Sequence, residues 1–202
     1  MVFFGDGGTS QGDFHEGLNF AGVFQVPAIF ICQNNQWAIS SFAGFAGGDE
    51  TTFAARGVGY GLPALRVDGN DFLAVYAATE WAAQRARSNL GATVIEFFTY
   101  RAAQHSTSDD PARYRPADEA SRWPLGDPIA RLRQHLERLG AWSEQEHHAA
   151  EHQAQEKVRA AGREAEAVGV LGQSRPSVKE MFEEVFKEPD WRLLEQRREV
   201  GI

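Results

Sequence analysis

The chain has 202 residues, 43% hydrophobic and 24% charged, the balance of an ordinary globular protein with room for one domain and an appendage. A formal net charge of −8 argues against nucleic acid or an anionic membrane as partner, and no apolar run reaches the length of a membrane span. The opening Met1-Val2-Phe3-Phe4-Gly5 has no basic flank or long apolar stretch of an export signal, and the lone Cys32 excludes an internal disulfide, so a reducing, cytoplasmic location is expected.

Val2-Phe3-Phe4 is a short apolar run ending in glycines, which predicts a strand. Ser10-Gln11-Gly12-Asp13 has the form of a capping box, with Ser10 as N-cap. Phe14, Leu18 and Ala21 then share one helical face, and Pro27 predicts a stop after Val26. Ala28 to Cys32 is a continuous apolar run, suited to a parallel strand covered on both faces. Residues 36–52 read as a loop in which Phe42 and Phe45 pack down or face a partner. Ala64 to Val67 is a third strand, and Asp68-Gly69-Asn70-Asp71 a turn capping a helix with Phe72, Val75, Tyr76, Thr79 and Ala83 on its face. Gly91 is expected to end that helix, and Ala92 to Phe98, β-branched and aromatic, is a fourth strand.

Alternating strands and helices predict an α/β class with a mainly parallel sheet flanked by helices, and a helical C-terminal region. The expected division is 1–125 for the α/β core and 126–202 for the helical extension. In that extension Ser143 to Ala167 reads as a solvated helix. His148 and His152, four apart, could chelate a metal, but the solvated face is the stronger reading there. Pro176 is expected to start a helix bearing Met181, Phe182, Val185 and Phe186, followed by Trp191, Leu193 and Leu194.

The chemistry gathers at Gly5-Asp6-Gly7-Gly8 and at Asn34-Asn35. A right-handed strand–helix–strand crossover brings Asp6 and Asn35 to the same carboxyl edge, where open α/β sheets bind ligands. Magnesium takes oxygen ligands: Asp6 offers an anionic oxygen, the Asn35 amide a neutral one, and a backbone carbonyl just beyond a third. Gly7 and Gly8 leave room for a phosphate near a helix start. Gly-Asp-Gly triplets are often plain turns, but this spacing and the Asn-Asn after a buried strand favour a metal and phosphate site. A second constellation lies on the polar loop from Thr99 to Ala117. Arg101, Arg113 and Arg115 are expected to pair with Asp109 and Asp110, and Ser106 or Ser108 to cap a turn. His105 on that loop is either incidental or a proton donor.

GDGGTSQGDFHEGLNFAGVFQVPAIFICQNNQWAIS resembles the thiamine diphosphate motif of the alpha subunit of 2-oxo acid dehydrogenases, the decarboxylating component. The resemblance continues through RVDGNDFLAVYAAT, YRAAQHSTSDDPARYRPADE and DPIARLRQHLERLG, and the His-Ser-Thr-Ser-Asp-Asp wording is closer to branched-chain enzymes than to pyruvate dehydrogenase. It implies thiamine diphosphate and Mg2+ as cofactors. Asp6, the Asn35 side chain and the Trp37 carbonyl would hold the metal, Gly7, Gly8 and Gln33 would lie at the diphosphate, and His105 would contact cofactor and assist acyl transfer. Gln33 stands where some relatives carry arginine, and Trp37 where tyrosine is commoner. Ser106 matches a serine phosphorylated in organellar relatives; the unmodified hydroxyl is preferred here.

The same resemblance implies oxidative decarboxylation of a 2-oxo acid with acyl transfer to a lipoyl group. A beta subunit would complete an α2β2 assembly and supply the activating glutamate, and a lipoylated acyltransferase core would receive the acyl group. Relatives carry a long segment before the Gly-Asp-Gly strand, so an amino-terminally shortened form is expected. Pyruvate or acetoin dehydrogenase alpha subunits, and a truncated non-catalytic remnant, remain as alternatives.

Overall fold

A computed structural model describes residues 1–47, 51–169, 177–183 and 187–202. They group into two compact units, Met1–Ser143 and Glu144–Ile202.

The first unit is built on a four-stranded, all-parallel sheet: β1 (Val2–Gly5), β2 (Ile29–Asn34), β5 (Ala64–Asp68) and β6 (Thr93–Phe98), in the order β1-β2-β6-β5. β1 joins β2 through α1 (Gly12–Phe24), the expected crossover. The register pairs Phe4 with Cys32 and Gly5 with Gln33, so the residues after both strands leave the same edge. Leu18 and Ala21 of α1 pack with Leu62, Ala92 and Val94 on one face of the sheet. Ala78 and Ala82 of α3 (Phe72–Arg87) pack with Ile31, Ile95 and Phe97 on the other. β6, flanked by strands and covered on both faces, is the centre of the core. β1 is the opposite case: it is a margin of the sheet, with Met1, Val2 and Phe3 half or more exposed.

Several local expectations are corrected. Asp6–Ser10 form a 3-10 turn, so Gln11, extended and without a side-chain bond, holds the N-cap position and no Ser10 capping box forms. α1 ends at Phe24, with Gln25 in the left-handed region, a turn before Pro27 could stop it. The buried face of α3 is rotated from the expected one. Small Ala78 and Ala82 meet the sheet, with Val75 and Ala83 beside them, while Phe72 and Tyr76 stay exposed because close helix–sheet packing favours the smaller side chains. α3 ends at Arg87 with Asn89 left-handed, before Gly91.

The expected loop 36–52 contains a short antiparallel pair, β3 (Trp37–Ala38) and β4 (Ser41–Phe42), and a 3-10 turn over Ala43–Ala46. α2 (Ala54–Gly59) lies close on β6: a Cβ on Gly57 would come 2.7 Å from Val94 Cγ2. α4 (Pro128–Arg138), capped by Asp127 with Pro128 just inside, groups with the first unit. Arg131 ties it to Asp68 at 2.8 Å and Asp71 at 3.4 Å.

The second unit contains α5 (Glu144–Val168) and α6 (Trp191–Glu199). α5 has no buried residue, as its composition predicts. His147 lies 3.4 Å from Glu151, and His148 lies against Glu151 and Glu144. Ser177 and Glu180 form a capping box on the 3-10 turn Val178–Phe182, which buries Phe182. Pro176, Val185 and Phe186 lie outside the described residues. No described helix is long and apolar enough to cross a membrane.

Candidate cofactor and metal site

Asp6 sits just past β1 and is 1% exposed. Its Oδ2 is buried without a hydrogen-bond partner. Burial pushes its pKa up from the usual carboxylate value, opposed by the backbone N–H groups of Asp6 and Asn35 and the positive charge of Arg101, and assisted by the negative charge of Glu96. A carboxylate in such surroundings is electrostatically short of a cation. The Asp6 turn is fixed from behind: Thr9 Oγ1 donates to the Asp6 carbonyl at 2.5 Å, and Arg56 Nη1 donates to the Thr9 carbonyl and hydroxyl.

The second loop runs from Asn34 to Ile39. Asn35 Oδ1 accepts the Trp37 N–H at 3.2 Å, which orients that amide oxygen within the loop. Gln36 and Ile39 have φ of 74° and 55°, left-handed conformations costly for such residues and concentrated at this loop. The two loops touch through Gly7, where a Cβ would meet Ala38 Cβ at 2.5 Å. Gly8 has ordinary space, its nearest neighbour being Phe4 Cβ at 3.5 Å. Gly7→Ala is therefore expected to cost about 1–3 kcal/mol through overpacking, with Gly8→Ala much milder. Urea denaturation of the two variants checks the difference.

Trp37 is buried against Phe42 and Tyr114. Its carbonyl accepts from Arg101 Nη1 at 2.7 Å, which leaves the second lone pair of that oxygen. Gln33, paired in register with Gly5, is exposed and on the opposite face of β2 from Asn34 by strand alternation. Cys32 beneath the site has its thiol pKa pushed up by burial and by the Glu96 and Asp6 charges, which leaves it an inert core residue.

The His105 loop reaches this site through Arg101. Arg101 Nη2 donates to the Ile39 carbonyl at 2.8 Å and to the Tyr114 hydroxyl at 2.7 Å. Tyr114 in turn donates to Asp109 Oδ2 at 2.7 Å, and the His105 N–H donates to the same oxygen at 2.8 Å. These two donors and Arg101, 3.9 Å away, hold the Asp109 pKa below the usual value against some desolvation. The His105 ring itself is exposed. Arg113 pairs with Asp110 at 3.5 Å, as expected. Arg115 is the correction: it is nearly buried, and its planar fork serves the carbonyls of Arg101, Ala102 and Ala103 rather than an aspartate. Ser106 turns the loop through its carbonyl, which accepts the Asp109 N–H, while its hydroxyl lies 3.3 Å from that of Ser108.

The structure thus brings Asp6, Gly7, Asn35 and Trp37 together. His105 is linked to them by backbone and through Asp109, Tyr114 and Arg101. The sequence reading missed Thr9 and Arg56 as supports of the acid turn and Arg101 as the link between loops. No spacing rule announces these contacts, which span up to 64 residues.

Comparison with known proteins identifies the family. Residues 1–173 match the family model described as dehydrogenase E1 component. The chain is 56% identical over its whole length to the 2-oxoisovalerate dehydrogenase subunit alpha of Pseudomonas aeruginosa, covering 49% of that protein. It is 51% identical over 144 residues to the 3-methyl-2-oxobutanoate dehydrogenase subunit alpha of Mycobacterium tuberculosis, 71% of this chain and 39% of that one. It is 42% identical over 196 residues to the pyruvate dehydrogenase E1 component subunit alpha of Acholeplasma laidlawii, 96% of this chain and 55% of that protein. The chain spans about half the length of these relatives or less. With a match across most of its residues and a parallel sheet that sets an acidic turn beside an amide loop, the chain belongs to the dehydrogenase E1 component family.

Proposed function

We propose that this chain is the diphosphate- and metal-holding part of a thiamine diphosphate-dependent 2-oxo acid dehydrogenase alpha subunit of the branched-chain type. The observation that carries the proposal is Asp6: a buried carboxylate at the carboxyl edge of a parallel sheet, one oxygen unpartnered, beside the Asn35 loop. Its donor set is all oxygen, which suits Mg2+. Asp6, the Asn35 amide oxygen and the Trp37 carbonyl would hold the ion, and Gly7 and Gly8 leave backbone open to the diphosphate. Bound thiamine diphosphate supplies the carbanion chemistry of decarboxylation. The protein would orient the diphosphate beside the Trp37–Tyr114 ring contact and present His105 as a proton donor or acceptor for acyl transfer to a lipoyl group.

The 2-oxoisovalerate and 3-methyl-2-oxobutanoate names of two relatives support a branched-chain 2-oxo acid as substrate. The words subunit alpha in both names support a partner subunit; by the family resemblance that partner would be a beta subunit bringing the activating glutamate, in a cytoplasmic complex with a lipoylated acyltransferase. The Acholeplasma relative keeps pyruvate as the second reading. Calorimetry with Mg2+ and thiamine diphosphate, with and without a beta subunit, tests the cofactor reading. Saturable, Mg2+-dependent binding abolished by Asp6→Ala is expected; absence of binding in both conditions favours a non-catalytic remnant. Assay of the assembled complex with 2-oxoisovalerate and pyruvate then settles the substrate, a strong pyruvate preference defeating the branched-chain assignment.

A further inference from the structure

Glu96 lies in the middle of β6 with 0% exposure. A buried carboxylate is costly unless donors surround it. Three do: Asn34 Nδ2 donates to Oε1 at 2.7 Å, the Ala54 N–H donates to Oε2 at 2.9 Å, and Arg66 Nε lies 3.5 Å from Oε1.

Two of these donors lead to the two loops of the candidate site. Asn34 immediately precedes Asn35, and its Oδ1 receives the Gln36 N–H at 3.3 Å and Gln36 Nε2 at 2.9 Å. Glu96 thereby fixes the side chain that holds Gln36 in its left-handed conformation, and so the turn presenting Asn35 and Trp37. Ala54 is the first residue of α2. Two residues on, Arg56 reaches Thr9, whose hydroxyl grips the Asp6 carbonyl. One carboxylate therefore holds the amide loop directly and the acid turn through a single short helix.

We infer that Glu96 is a positioning residue that sets the spacing of Asp6 and Asn35 by gripping both ligand-bearing loops from beneath the sheet edge. The inference rests on the metal reading of that site, and its test separates the two. Glu96→Gln keeps the shape and retains an acceptor for Ala54, but it turns an amide N–H2 toward Asn34 Nδ2, donor against donor. Asn34 cannot rotate to relieve this without losing Gln36. Adding Asn34→Asp replaces the opposing donor with an acceptor, restoring both the hydrogen bond and the buried negative charge.

The full chain is to be studied as wild type, Glu96→Gln, and Glu96→Gln with Asn34→Asp. Amide hydrogen exchange is followed without metal over 5–10 and 34–38, and Mg2+-dependent thiamine diphosphate binding by calorimetry. Glu96→Gln is expected to exchange faster in both segments and to bind about 10–100-fold more weakly, the usual effect of removing a partner behind a metal ligand. The double variant is expected to recover most of both. A role in bulk stability alone would quicken the core amides of β2 and β6 as well, whereas a positioning role leaves those amides little changed. If Glu96→Gln fails to fold, a folded, binding double variant supports the inference, and one that folds without binding overturns it. Wild-type affinity in a folded Glu96→Gln chain also overturns it. A wild-type chain that binds nothing sinks the metal reading instead, and unchanged exchange in Glu96→Gln would then still overturn the positioning role.

Discussion

Replacing Asp6 with asparagine is expected to make the metal-free chain more stable while removing its Mg2+-dependent binding. The carboxylate is buried, one oxygen has no partner, and its pKa is raised by burial. An acid raised in this way binds its proton more tightly folded than unfolded. Metal-free stability contributed by this group is therefore full below the ordinary carboxylate range and declines as pH climbs through the raised folded value. The cost therefore grows as pH rises above the ordinary carboxylate range. Asparagine still places a neutral polar atom at the same spot, so only the cost of the buried charge is relieved, about 1–3 kcal/mol, and each kcal/mol moves the melting temperature of a chain this size by about 2–4 °C. Asp6→Asn should melt higher by that amount at pH 7, with the advantage shrinking on acidification. Mg2+ affinity of the wild type should fall over the same range, because the ion competes with the proton for one group. Thermal melts from pH 4 to 8 with and without Mg2+ check both slopes. A variant that melts lower than wild type in the absence of metal would show that the carboxylate is not strained at all.

Arg101→Ala is expected to free two segments at once. The guanidinium donates to the Trp37 and Ile39 carbonyls, and Ile39 is a β-branched residue at φ 55° that needs an outside restraint. Hydrogen bonds from a charged donor contribute about 1.5–3 kcal/mol each, and water replaces part of that once the loop opens. Hydrogen exchange over 35–39 and 105–115 should quicken on the order of a hundredfold, while the core amides of β2 and β6 change little. The Asp109 carboxyl, losing Arg101 and the ordered Tyr114, should titrate closer to the usual carboxylate value. Arg101→Lys should restore little, since a single ammonium cannot serve two carbonyls and a phenol in one plane. If exchange quickens over 105–115 alone, Arg101 does not join the two loops.

The parts that were legible in the sequence are those governed by local chemistry. Val2-Phe3-Phe4 and the Ala28–Cys32 run are strands because continuous apolar stretches of that length bury well in a parallel sheet, and their crossover puts Asp6 and Asn35 on one edge. The Ser10 cap failed because the chain spends Asp6–Ser10 on a tight turn first, which leaves Gln11 at the helix start. α2 escaped notice because Ala54–Gly59 contains two glycines, poor helix formers; one of them, Gly57, permits close contact with Val94. Glu96 left a signal that was passed over: a lone acid inside Thr93–Phe98, an otherwise apolar and β-branched run, is a charge that must find buried donors. The partners of Arg101 and Arg115 left no signal, because backbone carbonyls look alike in any sequence.

β1 carries a practical consequence for handling the protein. As one of the two edge strands of its sheet among the described residues, it leaves a row of backbone donors and acceptors unpaired within that sheet, beside the exposed side chains of Val2 and Phe3. A ribbon margin of this kind is adhesive toward other copies of itself, and the absence of lysine or proline along it removes the usual deterrents to stacking. Recovery of the chain from dilute refolding should thus exceed recovery from concentrated stocks, with losses appearing as β-rich precipitate.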